Sequence, residues 1–330
     1  MKIVYLDNGA TTKVYPEVAD VMQKCLVEDY GNASSRHSLG DDAKDILKSS
    51  REVIAKEIGA DSKEIIFTSG GTESNNLALK GVMLQSKKKH LIVSKIEHDC
   101  ILNAAKYLES QGCELTFIDV DKEGFVSPKA LREAIREDTA LVSIIHANNE
   151  IGTIQDLPAL YEVCKEKDVL FHTDACQSFT KEDLTADMAD LITLNAHKIH
   201  GPKGVGALYV KKGLRLTPQM NGGGHERGIR SGTENIPAIA GFAKTVELKY
   251  SSEEIEKVTE LRDYLIEGLL KLPFSQLNGP SGDKRLCTNV NVSFEDIEGE
   301  SIVALFNHYG ICTSTGSACS SNTLDASHVM

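Results

Sequence analysis

Six short apolar runs recur over the first 195 residues: "EIIFTS" (64–69), "HLIVS" (90–94), "CELTFID" (113–119), "ALVSIIHA" (140–147), "VLFHTD" (169–174) and "DLITLN" (190–195). Runs of this length suit strands buried on both faces. Helical patterns lie between them. Residues 39–58 place Leu39, Ala43, Ile46, Leu47, Val53, Ile54 and Ile58 near one helical face, a helix from about Glu73 follows the first run, and Ser127-Pro128 gives "KALREAI" a good start signal. Strands alternating with helices predict parallel βαβ units, an open α/β sheet covered on both faces. Ligands of such sheets bind beyond the carboxyl ends of the strands. The polar residues that follow the runs are therefore the informative ones: Ser69-Gly70-Gly71-Thr72, Glu97-His98, Asn148-Asn149, Asp174 with Gln177, and Asn195 to Lys198.

At 330 residues the chain should form one large and one smaller domain. The pattern changes after Gly232: a mostly helical stretch covers about 235–270, "CTNVNVSF" (287–294) reads as an alternating strand, "GESIVALFNHYG" as a helix, and "ICTSTGSACSSN" as a strand entering a polar loop. The expected division is an N-terminal segment (1–15) packing with the small domain, a large domain (16–245) and a small domain (246–330) with a loop at 313–324. A net charge of −12 argues against nucleic acid or anionic membranes as partners. The opening "MKIVYLDNGATT" has too short an apolar run for a signal-peptide core, and no 18-residue apolar stretch occurs, so a cytoplasmic protein with no membrane span is expected.

Lys198 follows the sixth run. It is either a solvated surface lysine or, at a strand end in a dry pocket, an amine suited to a Schiff base. Asp174 ends an apolar strand and needs a partner, which is either a structural cation or a pyridinium nitrogen. "TSGGTES" (68–74) reads as strand, glycine turn and helix start, where backbone N–H groups and the Thr72 hydroxyl can hold a phosphate. "GPKGVG" (201–206) lacks the order of a dinucleotide fingerprint and opens no helix. His98 is either a satisfied core histidine or a ring-stacking proton carrier. His197 and His200 are spaced for one helix face, but no third ligand accompanies them, so no metal is expected. Of eight cysteines (25, 100, 113, 164, 176, 287, 312 and 319), most should be reduced and buried as small apolar residues. Cys319, in "STGSACSSN", should lie on an exposed loop where a thiol can react.

Together these motifs resemble the NifS/IscS cysteine desulfurases, pyridoxal-phosphate (PLP) enzymes of the aspartate aminotransferase fold (fold type I). The matching segments run in order: "YLDNGATT", "GNASSRH", "FTSGGTESNNLALKG", "EH" at 97–98, "HANNEIGTIQ", "HTDACQS", "AHKIHGPKGVGALYV", "GGGHERGIRSGTEN", "NVNVSFEDIEGES" and "STGSACSS". The resemblance implies that Lys198 is the Schiff-base lysine and Asp174 the partner of the pyridine nitrogen. Gln177 would meet the ring oxygen, His98 would stack on the ring and move protons, and Asn149 would lie near the ring and the substrate carboxylate. Gly71, Thr72, Asn195 and His197 would cradle the phosphate, with Thr233 reaching in from the second subunit of a homodimer. Cys319 would take sulfur from L-cysteine as a persulfide, release alanine, and pass the sulfur to an iron–sulfur scaffold or sulfur-carrier protein.

Three departures stand out. Asn195-Ala196 occupies a place where the family usually has serine and a small residue, and Gly9 and Gly71 stand where alanine is common. The chain ends at "LDASHVM", whereas the family continues for several dozen residues that complete the small domain and carry an arginine for the substrate carboxylate. Arg227 and Arg230 match the "HERGIRSGT" loop and do not replace it. Two alternatives share the same residues: a short, weakly active PLP-binding paralogue acting in sulfur relay, and a selenocysteine lyase.

Overall fold

The computed structural model describes residues 2–316 and 327–329. In chain order the first elements are β1 (Val4–Tyr5), α1 (Pro16–Val27), α2 (Ser38–Glu57), β2 (Ile65–Thr68), α3 (Gly71–Met83), β3 (His90–Ser94), α4 (Asp99–Ser110) and β4 (Glu114–Ile118). Then come α5 (Pro128–Ala134), β5 (Thr139–Ser143), α6 (Leu157–Glu166), β6 (Leu170–Asp174), β7 (Leu191–Asn195) and β8 (Gly206–Val210). The remainder holds α7 (Ile236–Glu247), α8 (Ser252–Leu269), β9 (Ser275–Leu277), β10 (Val292–Phe294), α9 (Gly299–His308) and β11 (Ile311–Cys312).

β2 to β8 form one seven-stranded sheet in the order β2-β8-β7-β6-β5-β3-β4. β7, β6, β5, β3 and β4 pair in parallel, and β8 runs antiparallel to both β2 and β7. Successive residues of a strand serve opposite core layers. Ile92 packs with Ile54, Leu160 and Phe242, whereas Leu91 and Val93 pack with Leu77, Ile101 and Leu108. Each such side chain contributes about 1.5–3 kcal/mol by leaving water. This is the α/β sheet expected from the six apolar runs, and "GVGALYV" supplies the antiparallel seventh strand.

Helix starts follow their caps. Ser127 accepts from Ala130 N–H at 3.4 Å ahead of Pro128, and Asp156 accepts from Ala159 N–H at 3.1 Å. The stretch at 235–270 is two helices, because a Ser251/Glu254 capping box starts α8 anew after α7 ends. The expected strand at 287–294 shrinks to β10. Its first half grips the loop after β5 instead: Asn289 and Asn291 donate through Nδ2 to Glu150 O at 2.8 and 3.0 Å, and Leu286 N–H donates to Gly152 O at 2.8 Å. The apparent alternation there is a pair of asparagines facing a loop. β1 pairs in parallel with β11, tying residues 4–6 to the segment after α9. No described helix is long and apolar enough to cross a membrane.

Candidate active site

The turn between β2 and α3 forms a cradle. Gly70 takes φ +151°, which glycine adopts without penalty. Beside it lies Gly206 of β8, where a Cβ would sit 2.8 Å from the Gly70 backbone. Ser69 N–H donates to Glu73 Oε2 at 2.8 Å, and Arg230 Nε donates to Glu73 Oε1 at 2.8 Å. Burial alone would raise the Glu73 carboxyl, but Arg230 and Ser69 outweigh it and hold the group below its ordinary value. The first N–H groups of α3 have no intrahelical partners and form the positive end of its dipole. They face a cleft of about 370 Å³ lined by Thr11, Gly70, Gly71, Thr72, His197 and Lys203, among others. Gly71, Thr72 and His197, singled out in the sequence, thus line one surface.

Asp174 and Asn195 end the adjacent parallel strands β6 and β7, so both emerge at one sheet edge. Asp174 is buried; its Oδ2 accepts from Asn75 Nδ2 at 2.6 Å and its Oδ1 from Cys176 N–H at 2.9 Å, both neutral donors. Asn195 Oδ1 is buried without a hydrogen-bond partner among the described residues. Lys198 follows in the turn after β7, half-buried. Gln177 is buried and donates through Nε2 to Gly9 O at 3.0 Å. The N-terminal segment crosses here: Thr12 N and Oγ1 both donate to His197 O at 2.9 Å, and Thr11 Oγ1 lies 3.2 Å from His197 Nδ1. Burial, followed by Lys198, Lys203 and Lys181, pushes the His197 imidazole down to about 4, so it is neutral at pH 7. It can therefore meet a phosphate as a hydrogen-bonding group, while the helix end supplies the positive field.

His98 caps α4, its Nδ1 accepting from Cys100 N–H at 3.2 Å. Burial holds its imidazole below the ordinary value, Asp174 opposing and Lys198 adding to the shift. Its neighbour Glu97 is a structural staple: Oε1 accepts from Ser94 Oγ at 2.6 Å and from Ile145 N–H at 2.7 Å, and burial pushes its carboxyl up to about 8. Asn148 likewise ties its loop together through Ile96 O, Glu150 N and Ile151 N. Asn149 is half-buried, and its carbonyl accepts from Asn289 Nδ2 at 3.3 Å. Thr233 is exposed after Gly232 and does not line this chain's cleft. Cys319 lies outside the described residues, as does most of the loop expected at 313–324.

Some expectations change. His197 and His200 lie in a turn rather than on a helix. His200 has φ +69°, bonds Lys13 O at 2.8 Å through Nδ1, and meets the Tyr250 hydroxyl through Nε2. Both ring nitrogens are thus engaged, Nδ1 with the N-terminal segment and Nε2 with the segment at Tyr250 that follows α7. Five described thiols (Cys25, Cys113, Cys164, Cys176 and Cys287) are buried as expected, but Cys100 and Cys312 are partly exposed. Cys100 sits in the first turn of α4 beside His98, and Cys312 lies in an edge strand. Arg227 donates to Ile65 O at 2.6 Å and Arg230 holds Glu73, so both are engaged structurally. Asn75 and Thr11 also belong to this site, though neither follows directly on an apolar run. Asn75 was findable, since it lies three residues after Thr72 on the same face of α3.

The structure also explains the glycine at 71. A Cβ there would lie 2.5 Å from Cys176 Sγ, inside contact distance. Gly71→Ala should therefore destabilise the chain by about 1–3 kcal/mol, the usual range for overpacking. Adding Cys176→Ala should recover most of that loss. A double-mutant cycle by urea denaturation checks it; additive effects would show that the two positions do not compete for one space. Gly9 is different: its Cβ would stand 3.9 Å from Asn149 O, an ordinary contact.

Residues 4–330 match the family model described as Aminotransferase class-V. A cysteine desulfurase IscS of Dictyoglomus turgidum is 49% identical over 334 residues, covering 99% of this chain and 84% of that protein. A second IscS, of Methanosarcina thermophila, is 48% identical over 337 residues, covering 100% of this chain and 83% of that protein. Among solved structures, a NifS-like protein superposes with a TM-score of 0.93 at 38% identity, covering 99% of this chain and 88% of its own. SspA, solved in complex with cysteine, gives 0.88 at 38% identity, covering 99% of this chain and 93% of its own. The fold is that of the class-V aminotransferases, a group of PLP-dependent enzymes. Within that class the chain belongs to the NifS/IscS cysteine desulfurase family.

Proposed function

We propose that this chain is a PLP-dependent cysteine desulfurase that converts L-cysteine to L-alanine and a persulfide on Cys319. The observation that carries the reading is the buried Asp174 carboxylate, held by two neutral donors at the same sheet edge as Lys198 and beside the α3 cradle. The residues fit the cofactor: the cleft opens on the N-terminus of α3, with the Gly70–Gly71 turn, Thr72 and His197 in its lining as hydrogen-bonding groups for a phosphate. Gly71, Thr72, Asn195 and His197 would hold the phosphate, joined by Thr233 of a second copy in a homodimer. Asp174 would keep the ring nitrogen protonated, Gln177 would meet the ring oxygen, and His98 would stack on the ring. Bound there, PLP supplies an aldehyde for the substrate amine and a ring that absorbs the charge left by the α-proton.

Lys198 would hold that aldehyde at rest and move the α-proton once L-cysteine has taken its place. Asn149 would orient the substrate carboxylate. The Cys319 thiolate attacks the substrate sulfur, an S–S bond forms, the C–S bond breaks, and the carbon takes a proton to become alanine. An iron–sulfur scaffold or sulfur carrier would accept the persulfide. The proposed setting is the cytoplasm, and the proposed division is 1–15, 16–245 and 246–330.

The test is alanine release from L-cysteine by purified protein with added PLP, beside Cys319→Ser. Alanine from the wild type, lost in the variant, supports the reading. Cofactor absorbance without alanine from either protein contradicts it and favours a PLP-binding sulfur-relay paralogue. Faster turnover on selenocysteine, unaffected by Cys319→Ser, would favour a selenocysteine lyase.

A further inference from the structure

The partly exposed Cys100 has no place in the mechanism above, yet it lies against two of its residues. Cys100 Sγ is 3.0 Å from His98 Nδ1 and 3.1 Å from Asn75 Nδ2. The same Asn75 nitrogen donates to Asp174 Oδ2 at 2.6 Å. A continuous polar chain therefore runs from the Asp174 carboxylate through Asn75 and Cys100 to the His98 ring.

The amide and the backbone N–H orient it. An amide nitrogen has two hydrogens and accepts nothing, so Asn75 gives one to Asp174 and one to the Cys100 sulfur. Cys100 N–H donates to His98 Nδ1 at 3.2 Å, and a backbone N–H cannot reverse. With His98 Nδ1 accepting from that N–H, the thiol contact is one in which the Cys100 S–H donates, while Thr72 also hydrogen-bonds the sulfur. The thiol keeps that proton, because burial first and Asp174 next push it up to about 12. Of the two neutral imidazole tautomers, this arrangement selects the one with its proton on Nε2.

We infer that Cys100 is a positioning residue: with Asn75 it fixes the ring of His98 and confines its resting proton to Nε2. The inference rests on the proposed role of His98 for its catalytic consequence, but its structural content does not. A proton carrier works in one geometry and one tautomer, so a ring held from both the backbone and the thiol of one residue is ready at the start of each cycle.

The experiment uses the full-length chain loaded with PLP and labelled with ¹⁵N-histidine, with the His98 signals assigned by their loss in His98→Gln. Long-range ¹H–¹⁵N correlations near neutral pH should show Nδ1 unprotonated and Nε2 protonated in the wild type and in Cys100→Ser, which keeps a donor. Cys100→Ala keeps the backbone N–H donor to Nδ1 but loses the thiol's, so its Nε2–H tautomer should be less populated than in the wild type. Its kcat for alanine release should fall about fivefold, as for one lost neutral hydrogen bond, with KM within about twofold, and Cys100→Ser should restore kcat. A protonated Nδ1 in the wild type overturns the inference. So does a Cys100→Ala protein with wild-type tautomer and kcat, whatever its thermal stability. If the chain released no alanine at all, the desulfurase reading would fail while the tautomer measurement still decided this one.

Discussion

Lys198→Ala is expected to release alanine from L-cysteine at less than about one-thousandth of the wild-type rate while folding normally. Two effects combine. The variant loses the amine that holds the cofactor's aldehyde, and it loses the group that moves the α-proton, a contribution typically of about 10²–10⁴ by itself. The fold should be indifferent, because Lys198 is half-buried in a turn outside the strands and helices. Lys198→Arg should not rescue, since a guanidinium stays protonated and cannot form the covalent link. Adding a small primary amine should restore a measurable fraction by replacing the base. Alanine release within about tenfold of wild type would remove Lys198 from the mechanism.

Glu226→Ala is the change expected to cost most in stability, about 3–5 kcal/mol, although it lies outside the cleft lining. Glu226 takes a bidentate pair from Arg51, at 2.6 and 2.7 Å, and Phe67 N–H at 2.8 Å. The two ionic side chains are 11% and 2% exposed, and the guanidinium also lies over the Phe67 ring. Removing one partner of a buried pair leaves the other charge uncompensated, which is where a penalty of that size arises. The Phe67 N–H would lose its acceptor as well. Replacing both partners, as Arg51→Met with Glu226→Leu, should recover a large part of the loss. Urea denaturation measures all three chains. A loss below about 1 kcal/mol for Glu226→Ala would show that water reaches the pair.

These two sites also show what the amino-acid sequence could reveal. Lys198, Asp174, His98 and the Gly70–Thr72 turn each follow an apolar run, and in a parallel sheet that placement alone brings them to one edge. The local signal and the tertiary geometry coincide there. Glu226 gave no such signal, because its loop reaches β2 through left-handed backbone at Glu226 and Arg227, φ +45° and +57°, which no periodicity encodes. In sequence Cys100 looks like one more buried thiol, because its significance lies in contacts with residues 75 and 98, set by how α3 and α4 pack. Glu97 shows the converse: a carboxylate beside the site that serves as a staple between β3 and β5. The asparagines at 289 and 291 imitated a strand because a loop-gripping side chain and a solvent-facing strand position look alike in sequence.

The central claim is that the cleft at the strand ends serves a sulfur transfer ending on Cys319. The most direct measurement is a single turnover with PLP-loaded protein in excess over L-cysteine, counting alanine and protein-bound sulfane sulfur in the same sample. The account predicts equal amounts of the two, with the sulfur recovered on the peptide that contains Cys319. Alanine accompanied by free sulfide, or cofactor-loaded protein that yields neither product, would contradict it.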